Sequence, residues 1–350
     1  MPSADPVREG DRLMTICNAC RYCEGYCAVF PAMEKRLNFA EADLNYLANL
    51  CHNCAECYYA CQYAPPHEFA VNVPQVLAGI RERSYRKYAV FGLYDAPLLI
   101  ALALGLFIVR MLVRVRPHPP ADFYGVIPHV RMVAAFGTAG LLAAVLLAIG
   151  ALRFWRESEL PSPSGGSLVS ALRDILQLRY LSSNGAGCTY PNEHHSQARR
   201  WFHHLTFYGF LLCFASTTVA AVYHTVFGWI APYGYFSAPV ILGTLGGIGL
   251  LIGPAGLYFL KQKRDPAIAD PKQDTADLSF IALLFLTSAT GLALLAFRGS
   301  FFMSRLLLIH LGFVMALFLK FPYGKFVHGI YRAIALVRYA LEGLVPEIEV

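Results

Sequence analysis

Eight cysteines near the start of the chain form two runs with the same spacing. Each run reads C-x2-C-x2-C-x3-C, and the two contain Cys17, Cys20, Cys23 and Cys27, then Cys51, Cys54, Cys57 and Cys61. Three thiolates at three-residue steps on one short stretch suit three corners of a cubane [4Fe–4S] cluster. Zinc sites usually bring two C-x2-C pairs together from a distance. The spacing therefore predicts two [4Fe–4S] clusters, with structural zinc sites or merely packed cysteines as the alternative.

The runs resemble those of two-cluster bacterial ferredoxins, in which the fourth cysteine of a run ligates the other cluster. In those proteins a proline follows the run directly, whereas here Pro31 and Pro65 lie four residues after each run. The resemblance implies a crossed assignment of ligands: Cys17, Cys20, Cys23 and Cys61 for one cluster, and Cys51, Cys54, Cys57 and Cys27 for the other.

The segments around the cysteines predict helices. Between the runs, leucines recur at helical spacing at Leu37, Leu44, Leu47 and Leu50, and VPQVLAGIRERSYRKYA follows the second run. This pattern favours a small helical double-cluster domain over residues 1–90 rather than the βαβ form of ferredoxins. Two clusters close together would carry single electrons and leave bond chemistry to other groups.

The rest of the chain has the composition of a membrane protein. Of its 350 residues 56% are hydrophobic and 15% are charged, whereas about 25% are charged in a typical soluble domain. Stretches of about 20 apolar residues cross a bilayer as helices. Six stretches qualify, near 91–113, 130–152, 203–224, 236–260, 278–297 and 306–328. We therefore predict an all-α fold: the cluster domain, a six-helix transmembrane bundle over 91–330 with a connector at 153–202, and a tail at 331–350.

The basic residues predict the orientation of this bundle. Lys and Arg concentrate at the helix ends that would lie on the same side of the membrane as the cluster domain, which we call the head. The loop TVFGWIAPYGY on the other side has none. The loop 110–131 breaks this rule. The first residues lack the apolar core of a secretory signal. We expect a multi-pass protein of the inner (plasma) membrane with the head and both termini in the cytoplasm, and the net charge of +6 calls for no nucleic acid.

The connector contains three different segments. PSPSGGS is followed by LVSALRDILQLRYL, which is amphipathic and suits the membrane surface. Next comes NGAGCTYPNEHHSQARR, with Cys188, His194 and His195. This last segment is interpreted as a further ligand set or a docking loop, or else as a polar loop at the interface.

Histidines stand at the ends of two predicted membrane helices, where ionisable residues usually have a function. His203 and His204 open the third helix and His224 closes it, while His310 and His328 begin and end the sixth. Since the two helices run in opposite directions, His203 or His204 would share a depth with His328, and His224 with His310. Two facing imidazoles between helices suit the iron of a b-type haem, so one or two haems are predicted. The alternative is solvated or hydrogen-bonded histidines.

Helical phase separates the two candidates on the third helix. At about 100° per residue, His310 and His328 share one face, and His203 lies within about 60° of the face of His224. From His204 the difference is about 200°, so His203 is preferred as the ligand. Histidines elsewhere, including His52 and His129, are interpreted as structural or surface residues.

The cysteine runs followed by RRWFHHLTFYGFLLCFASTTVAAVYH resemble the tricarballylate-utilisation protein B family, also called citrate-utilisation protein B. The membrane part resembles the gamma subunit of respiratory nitrate reductase, whose last haem-binding helix also carries two histidines 18 residues apart, matching His310 and His328. That subunit's other histidine pair is ten residues apart. Here the corresponding positions hold Cys213 and Phe214, a departure from the pattern.

The resemblance implies a role as well as a fold. In that family a separate FAD-dependent dehydrogenase oxidises tricarballylate, and protein B reoxidises the flavin and passes electrons to the membrane quinone pool. The sequence shows no phosphate-binding glycine loop between a strand and a helix, and no evident acid, base or nucleophile for the organic substrate. The alternatives are the same electron wire for another flavoprotein dehydrogenase or for cobalamin synthesis, and a redox-gated transporter or sensor.

Overall fold

The computed structural model describes residues 5–113, 122–158, 165–184 and 187–343. The N-terminal head is a group of short helices, two of which are capped at their starts by side chains. Asp5 accepts a hydrogen bond from the backbone N–H of Val7, and Asn72 accepts one from Gln75; such caps satisfy donors that a helix leaves free. The head helices are α1 (Pro6–Cys20), α2 (Val29–Glu34), α3 (Glu41–Leu50), α4 (Glu56–Tyr59) and α5 (Val73–Tyr88).

The core of the head lies where α1, α3 and α5 pack together. Leu13, Leu44, Leu47 and Leu77 are fully buried there. Leu37, which the spacing had grouped with the leucines of α3, lies in the turn before that helix and is 88% exposed. The head is therefore helical as expected, but Leu37 is not part of its core.

The remaining described chain is also largely helical, with one short extended segment. Its helices are α6 (Leu98–Leu112), α7 (Phe123–Val126), α8 (His129–Glu157), α9 (Gly165–Gln177), α10 (Ala198–Thr225), α11 (Ala238–Gln262), α12 (Asp274–Ala296), α13 (Met303–Lys320) and α14 (Val327–Leu341), and the extended segment β1 is Leu181–Asn184. Of the connector segments, LVSALRDILQLRYL contributes to α9, and most of PSPSGGS lies outside the described residues.

Within the described ranges, five helices are long and apolar enough to cross a membrane: α8, α10, α11, α12 and α13. Large apolar side chains stay exposed along them, for example Leu141 on α8 and Phe214 on α10, as expected where lipid replaces water. The first predicted span, 91–113, differs: its helix starts only after Pro97, and the 15-residue α6 is shorter than the other five. The arginines Arg114 and Arg116 of the loop 110–131 lie outside the described residues.

Small residues hold α10 against α11. A Cβ added to Gly209 would lie 2.9 Å from the carbonyl oxygen of Gly246, closer than real Cβ contacts allow. Close backbone approach at glycines is typical of helix pairs in membranes. This contact explains the glycine-rich stretch GTLGGIG, and it fixes the position of α10, which carries three of the candidate histidines.

The prediction of one continuous helix over 306–328 is wrong. α13 ends at Lys320, a 3-10 turn covers Phe321–Tyr323, and α14 starts at Val327. Pro322 cannot donate a backbone hydrogen bond, which interrupts a helix. The carbonyl of Tyr323 instead accepts from the backbone N–H of Asp95 at 2.7 Å. α14 then packs against α3 and α9, so His310 and His328 lie on different helices.

Candidate functional site

Five cysteines from the two runs line one cavity in the head. This cavity of about 250 Å³ contains Cys17, Cys20, Cys23 and Cys61, with Cys57 also at its wall. Burial, and after it the neighbouring thiols of Cys61 and Cys20, raises the pKa of the Cys17 thiol to about 12. Cys61, the last cysteine of the second run, therefore lies beside the first three cysteines of the first run. We call these four residues the first cysteine set.

The other four cysteines form a second group. Burial raises the pKa of Cys27 to about 12, and its strongest thiol neighbour is Cys51. The pKa of Cys54 is also raised, first by burial and then by Cys27. The pKa of Cys57 is raised by burial and then by the thiols around it, of which Cys54 has the largest effect. We call Cys27, Cys51, Cys54 and Cys57 the second cysteine set.

The two sets have the chemistry of iron–sulfur ligands. Thiolate is the form that binds metal, so thiols with raised pKa values release protons when they bind it. Ile16, Phe30 and Val71 contribute an apolar wall to the first cavity, and the backbone N–H of Asn53 points at the sulfur of Cys51 at 3.4 Å. Among the described residues, no group of three or more His, Cys, Asp or Glu side chains is arranged to hold a single metal ion.

Guanidinium groups hold the second run from three helices. Arg81 of α5 and Arg332 of α14 both donate to the carbonyl oxygen of Cys51. Arg199 of α10 donates to the carbonyl oxygen of Asn53 at 3.0 Å. The second cysteine run is thus attached directly to the helices that follow the head, which we call the helical body.

A cavity of about 440 Å³ lies at this junction between head and body, and we call it the junction cavity. The rings of His203 and His328 face each other there, with centroids 6.2 Å apart and planes at 78°. Phe207 and Phe210 add an apolar wall, and His52, the residue after Cys51, lines the cavity as well. The structure therefore brings together the two histidines that the sequence placed on the cytoplasmic side.

Both imidazoles have a nitrogen suited to a metal. The Nδ1 of His328 lies 2.5 Å from the carbonyl oxygen of Lys325, so an N–H at Nδ1 donates there and leaves Nε2 as the free ligand atom. Burial lowers the pKa of His328 well below its usual value, and the cation Lys325 lowers it further. The neutral form, which binds metals, is therefore favoured. The Nδ1 of His203 is buried without a hydrogen-bond partner among the described residues.

His204 lies on another face of α10. Its ring stacks on Tyr208, with planes at 6° and centroids 5.8 Å apart, and it contacts Trp201. His204 does not line the junction cavity. Of the two neighbouring histidines, the structure places His203 beside His328.

The two candidates for the outer side, His224 and His310, have other neighbours. The ring of His224 stacks on His129 with centroids 3.6 Å apart. The Nδ1 of His310 lies 3.2 Å from the hydroxyl of Thr290 and 3.1 Å from the carbonyl of Thr287. Sequence reasoning grouped His129 with structural residues, although its place at the start of a membrane helix was the same kind of signal as that of His224.

The connector loop supports the second cysteine run. Both Cys188 and Thr189 donate from their side chains to the carbonyl oxygen of Cys54, each at 3.1 Å. His195 lies 3.6 Å from Glu56, and His194 is exposed. The loop thus packs against the cysteines through Cys188, a contact that its sequence alone did not reveal.

Sequence reasoning also missed an ion-pair network in the junction cavity. Asp277, near the start of α12, lies 2.7 Å from the ammonium of Lys325 and 2.8 Å from that of Lys261. The available signal was an acidic residue next to an apolar span, which is costly without a partner. This network ties α12 and α11 to the segment that leads into α14.

A helical head with two sets of four cysteines, joined to a body of long apolar helices, defines a membrane iron–sulfur protein. Two family models match the chain, the Citrate utilization protein B Fer4-like domain over residues 10–87 and Citrate utilization protein B over residues 82–347. Citrate utilization protein B of Escherichia coli is 51% identical over 352 residues, covering 97% of this chain and 93% of that one. The chain belongs to the citrate utilization protein B family, as its motifs predicted. No solved structure matches it.

Proposed function

We propose that this protein is a membrane-bound electron-transfer subunit. It would reoxidise the FAD of a partner tricarballylate dehydrogenase and deliver electrons, through two [4Fe–4S] clusters and b-type haem, to the quinone pool. One observation carries the proposal: His52 and Asn53 of the second cysteine run and the imidazoles of His203 and His328 line the same cavity. A cluster-binding segment and a pair of candidate haem ligands are therefore neighbours.

The two cysteine sets would hold the clusters, which supply one-electron steps when bound. Such one-electron carriers let a flavin that has taken two electrons from an organic substrate release them one at a time. Crossed ligation, with Cys61 in the first set and Cys27 in the second, is supported by the thiol neighbours of Cys17 and Cys27. It would also place the two centres close together, because each run contributes to both.

His203 and His328 would hold haem in the junction cavity. A metal bound at roughly 2 Å from one nitrogen of each ring leaves the ring centroids about 6 Å apart, close to the observed 6.2 Å. The aromatic wall suits a porphyrin. His224 and His310, the proposed ligands of a second haem, are supported less, because each contacts a different partner.

We further propose that the head and both termini lie in the cytoplasm, with the helical body in the plasma membrane. The cations Lys261, Arg264 and Lys325 all lie at the end of the body that contacts the head, and cytoplasmic ends are the ones rich in Lys and Arg. A partner flavoprotein would then reach the head from the cytoplasm.

The test uses the full chain in membranes isolated without air. We expect iron, labile sulfide and the absorbance of a b-type haem, and we expect a tricarballylate dehydrogenase with its substrate to reduce both kinds of centre. A quinone should then reoxidise them. Cys57→Ala should lower the iron and sulfide content, whereas Cys213→Ala, a thiol on α10 outside both sets, should not.

Three results would contradict this proposal in different ways. Zinc in place of iron, or iron without labile sulfide, would remove the clusters. Reduction only by another flavoprotein dehydrogenase would keep the wire and change its partner. Intact clusters with no haem absorbance and no quinone reduction would favour the redox-gated transporter or sensor.

A further inference from the structure

Three arginines from different helices converge on residues 48–54. Arg81 is 5% exposed, and Arg199 and Arg332 are partly buried at the wall of the junction cavity. Each donates to backbone carbonyls of one short segment: Ala48 and Cys51 for Arg81, Asn49 and Cys51 for Arg332, and Asn53 for Arg199. Arg199 also lies 3.7 Å from the sulfur of Cys188. Three positive charges therefore surround the start of the second cysteine run.

Within the described ranges, none of these three arginines has an ion pair with a carboxylate. The other cations that line the junction cavity are paired: Arg179 with Asp174, Lys261 and Arg264 with Asp274, and Lys325 with Asp277. The unpaired cations are thus specific to the segment that carries Cys51 and Cys54.

Leaving cations unpaired away from water is costly. Burial, and after it the charge of Arg81, lowers the pKa of Arg332 to about 10. Three like charges around one segment therefore call for an anion nearby. Arg81 and Arg332 both donate to the carbonyl oxygen of Cys51, and Arg199 donates to that of Asn53, the residue before Cys54, so these charges surround the segment that carries two thiols of the second cysteine set.

The first cysteine set has a different environment. Among the described residues that line its cavity, none is Lys or Arg. Arg21, the residue after Cys20, is exposed and donates to the backbone carbonyl of Asn18. Each set offers four thiolates, but in the part of the chain that the structure describes only the second set has cations around it.

We propose that Arg81, Arg199 and Arg332 are the counter-charge of the iron–sulfur centre at the second cysteine set and raise its reduction potential above that of the first. This inference rests on the proposed function, which supplies the two centres. Reduction adds one negative charge, which nearby cations stabilise. When the centres are bound, one electron would pass from the reduced centre at the first set to the oxidised centre at the second, with no bond or proton changing place. The reduced flavin of the partner would supply the electrons, and haem iron would accept them.

The same helices connect the arginines to the two candidate haem ligands. Arg199 and His203 are four residues apart on α10, and so are His328 and Arg332 on α14, so each pair shares a helix face. Each imidazole that faces its partner at 6.2 Å is thus one helical turn from a guanidinium bound to the second run. His52 lies among these groups, because it lines the same cavity.

The test is a redox titration of the full chain, without air, followed by the electron paramagnetic resonance of the reduced clusters. The wild type should show two midpoint potentials. Arg332→Gln should lower the higher one, reducing the equilibrium constant for electron transfer to the second centre at least tenfold, which is 59 mV for a one-electron couple. The lower potential should stay in place. Arg332→Lys, which keeps the charge, should shift the potential less than half as far.

Arg338→Gln is the matched control. Arg338 is on the same helix and is 9% exposed, but it is paired with Glu342 at 3.0 Å and Asp43 at 3.4 Å. Its loss should leave both potentials unchanged. If Arg332→Gln does not assemble, Arg81→Gln and Arg199→Gln carry the same expectation.

Several outcomes would overturn the counter-charge. They are equal movement of both potentials, movement of the lower one alone, no movement, or the same shift in Arg332→Lys or Arg338→Gln. A loss of bound haem with unchanged cluster potentials would also overturn it, because the arginines would then serve the haem carboxylates. By contrast, a wild type without any cluster signal would contradict the proposed function itself.

Discussion

The two ends of the helical body carry histidines in different settings. At the end that contacts the head, His203 and His328 face each other at 6.2 Å across a cavity beside the second cysteine run. At the far end, the ring of His224 lies 3.6 Å from that of His129, and His310 contacts the hydroxyl of Thr290. In the sequence-based prediction, the two histidines of each pair matched equally well in their depth along the helices.

The difference shows that depth in the membrane does not by itself make a ligand pair. Rings stacked at 3.6 Å are in van der Waals contact, so a metal and its porphyrin do not fit between them in this arrangement. The Nδ1 of His310 meets the hydroxyl of Thr290 and the carbonyl of Thr287, and this leaves its Nε2 free, as in His328. What distinguishes the head-side end is therefore the cavity that His203 and His328 share, since the buried Nδ1 of His224 lacks a partner among the described residues just as that of His203 does.

The largest expected effect separates the two ends directly. We expect His328→Ala, and equally His203→Ala, to abolish the haem absorbance of the purified full chain, because one axial ligand and the wall of its cavity are lost. His224→Ala and His310→Ala should keep that absorbance. Haem quantified by absorbance against protein concentration provides the measurement. If the far-end variants lost half of the haem, a second haem would be present there and the contrast would fail.

A stability effect comes next in size. Asp277→Asn should destabilise the junction, because Lys325 loses its carboxylate at 2.7 Å. We expect about 2 kcal/mol, less than a fully buried pair would give, since the side chains of Lys325 and Asp277 stay 18% and 21% exposed. Thr290→Ala at the far end should cost about 1 kcal/mol for its hydrogen bond. Thermal unfolding in detergent compares the stability losses of the two variants. Equal losses would show that the ion-pair network contributes no more than a single hydrogen bond.

Local signals predicted most of the architecture. The spacing of the cysteines predicted iron–sulfur ligands, because three of the four proposed ligands to each cluster lie close along the chain. Hydropathy located the apolar helices, because lipid selects their composition. The break after Lys320 was harder. Pro322 signals an interruption, but whether the chain resumes its course or turns toward α3 depends on packing with the head.

The parts of the site that sequence missed are long-range contacts. Arg332 meets the carbonyl of Cys51 across 281 residues of chain, and Cys188 meets that of Cys54 across 134. No periodicity links such positions. His129 was missed for a different reason: it has the same signal as His224, but the comparison of helix ends was restricted to the third and sixth helices.

A smaller effect should mark the support of the second cysteine run. Cys188→Ala removes one of two side-chain hydrogen bonds to the carbonyl of Cys54, and Thr189 keeps the other. We expect full cluster content, with a loss of about 1 kcal/mol in local stability, measured as faster release of iron to a chelator. Cys213→Ala on α10 is the control and should release iron at the wild-type rate. Loss of a whole cluster in Cys188→Ala would instead make this thiol a ligand.

The smallest expected effect concerns His204, the rival of His203. Its ring stacks on Tyr208 and contacts Trp201, outside the junction cavity, so His204→Ala should remove only a surface contact. We expect wild-type haem content and an unchanged haem spectrum, measured beside His203→Ala under the same conditions. If His204→Ala lost haem while His203→Ala kept it, α10 would present its other face to the porphyrin. The head-side pair would then be His204 and His328, and the contrast between the two ends would have to rest on the cysteine run alone.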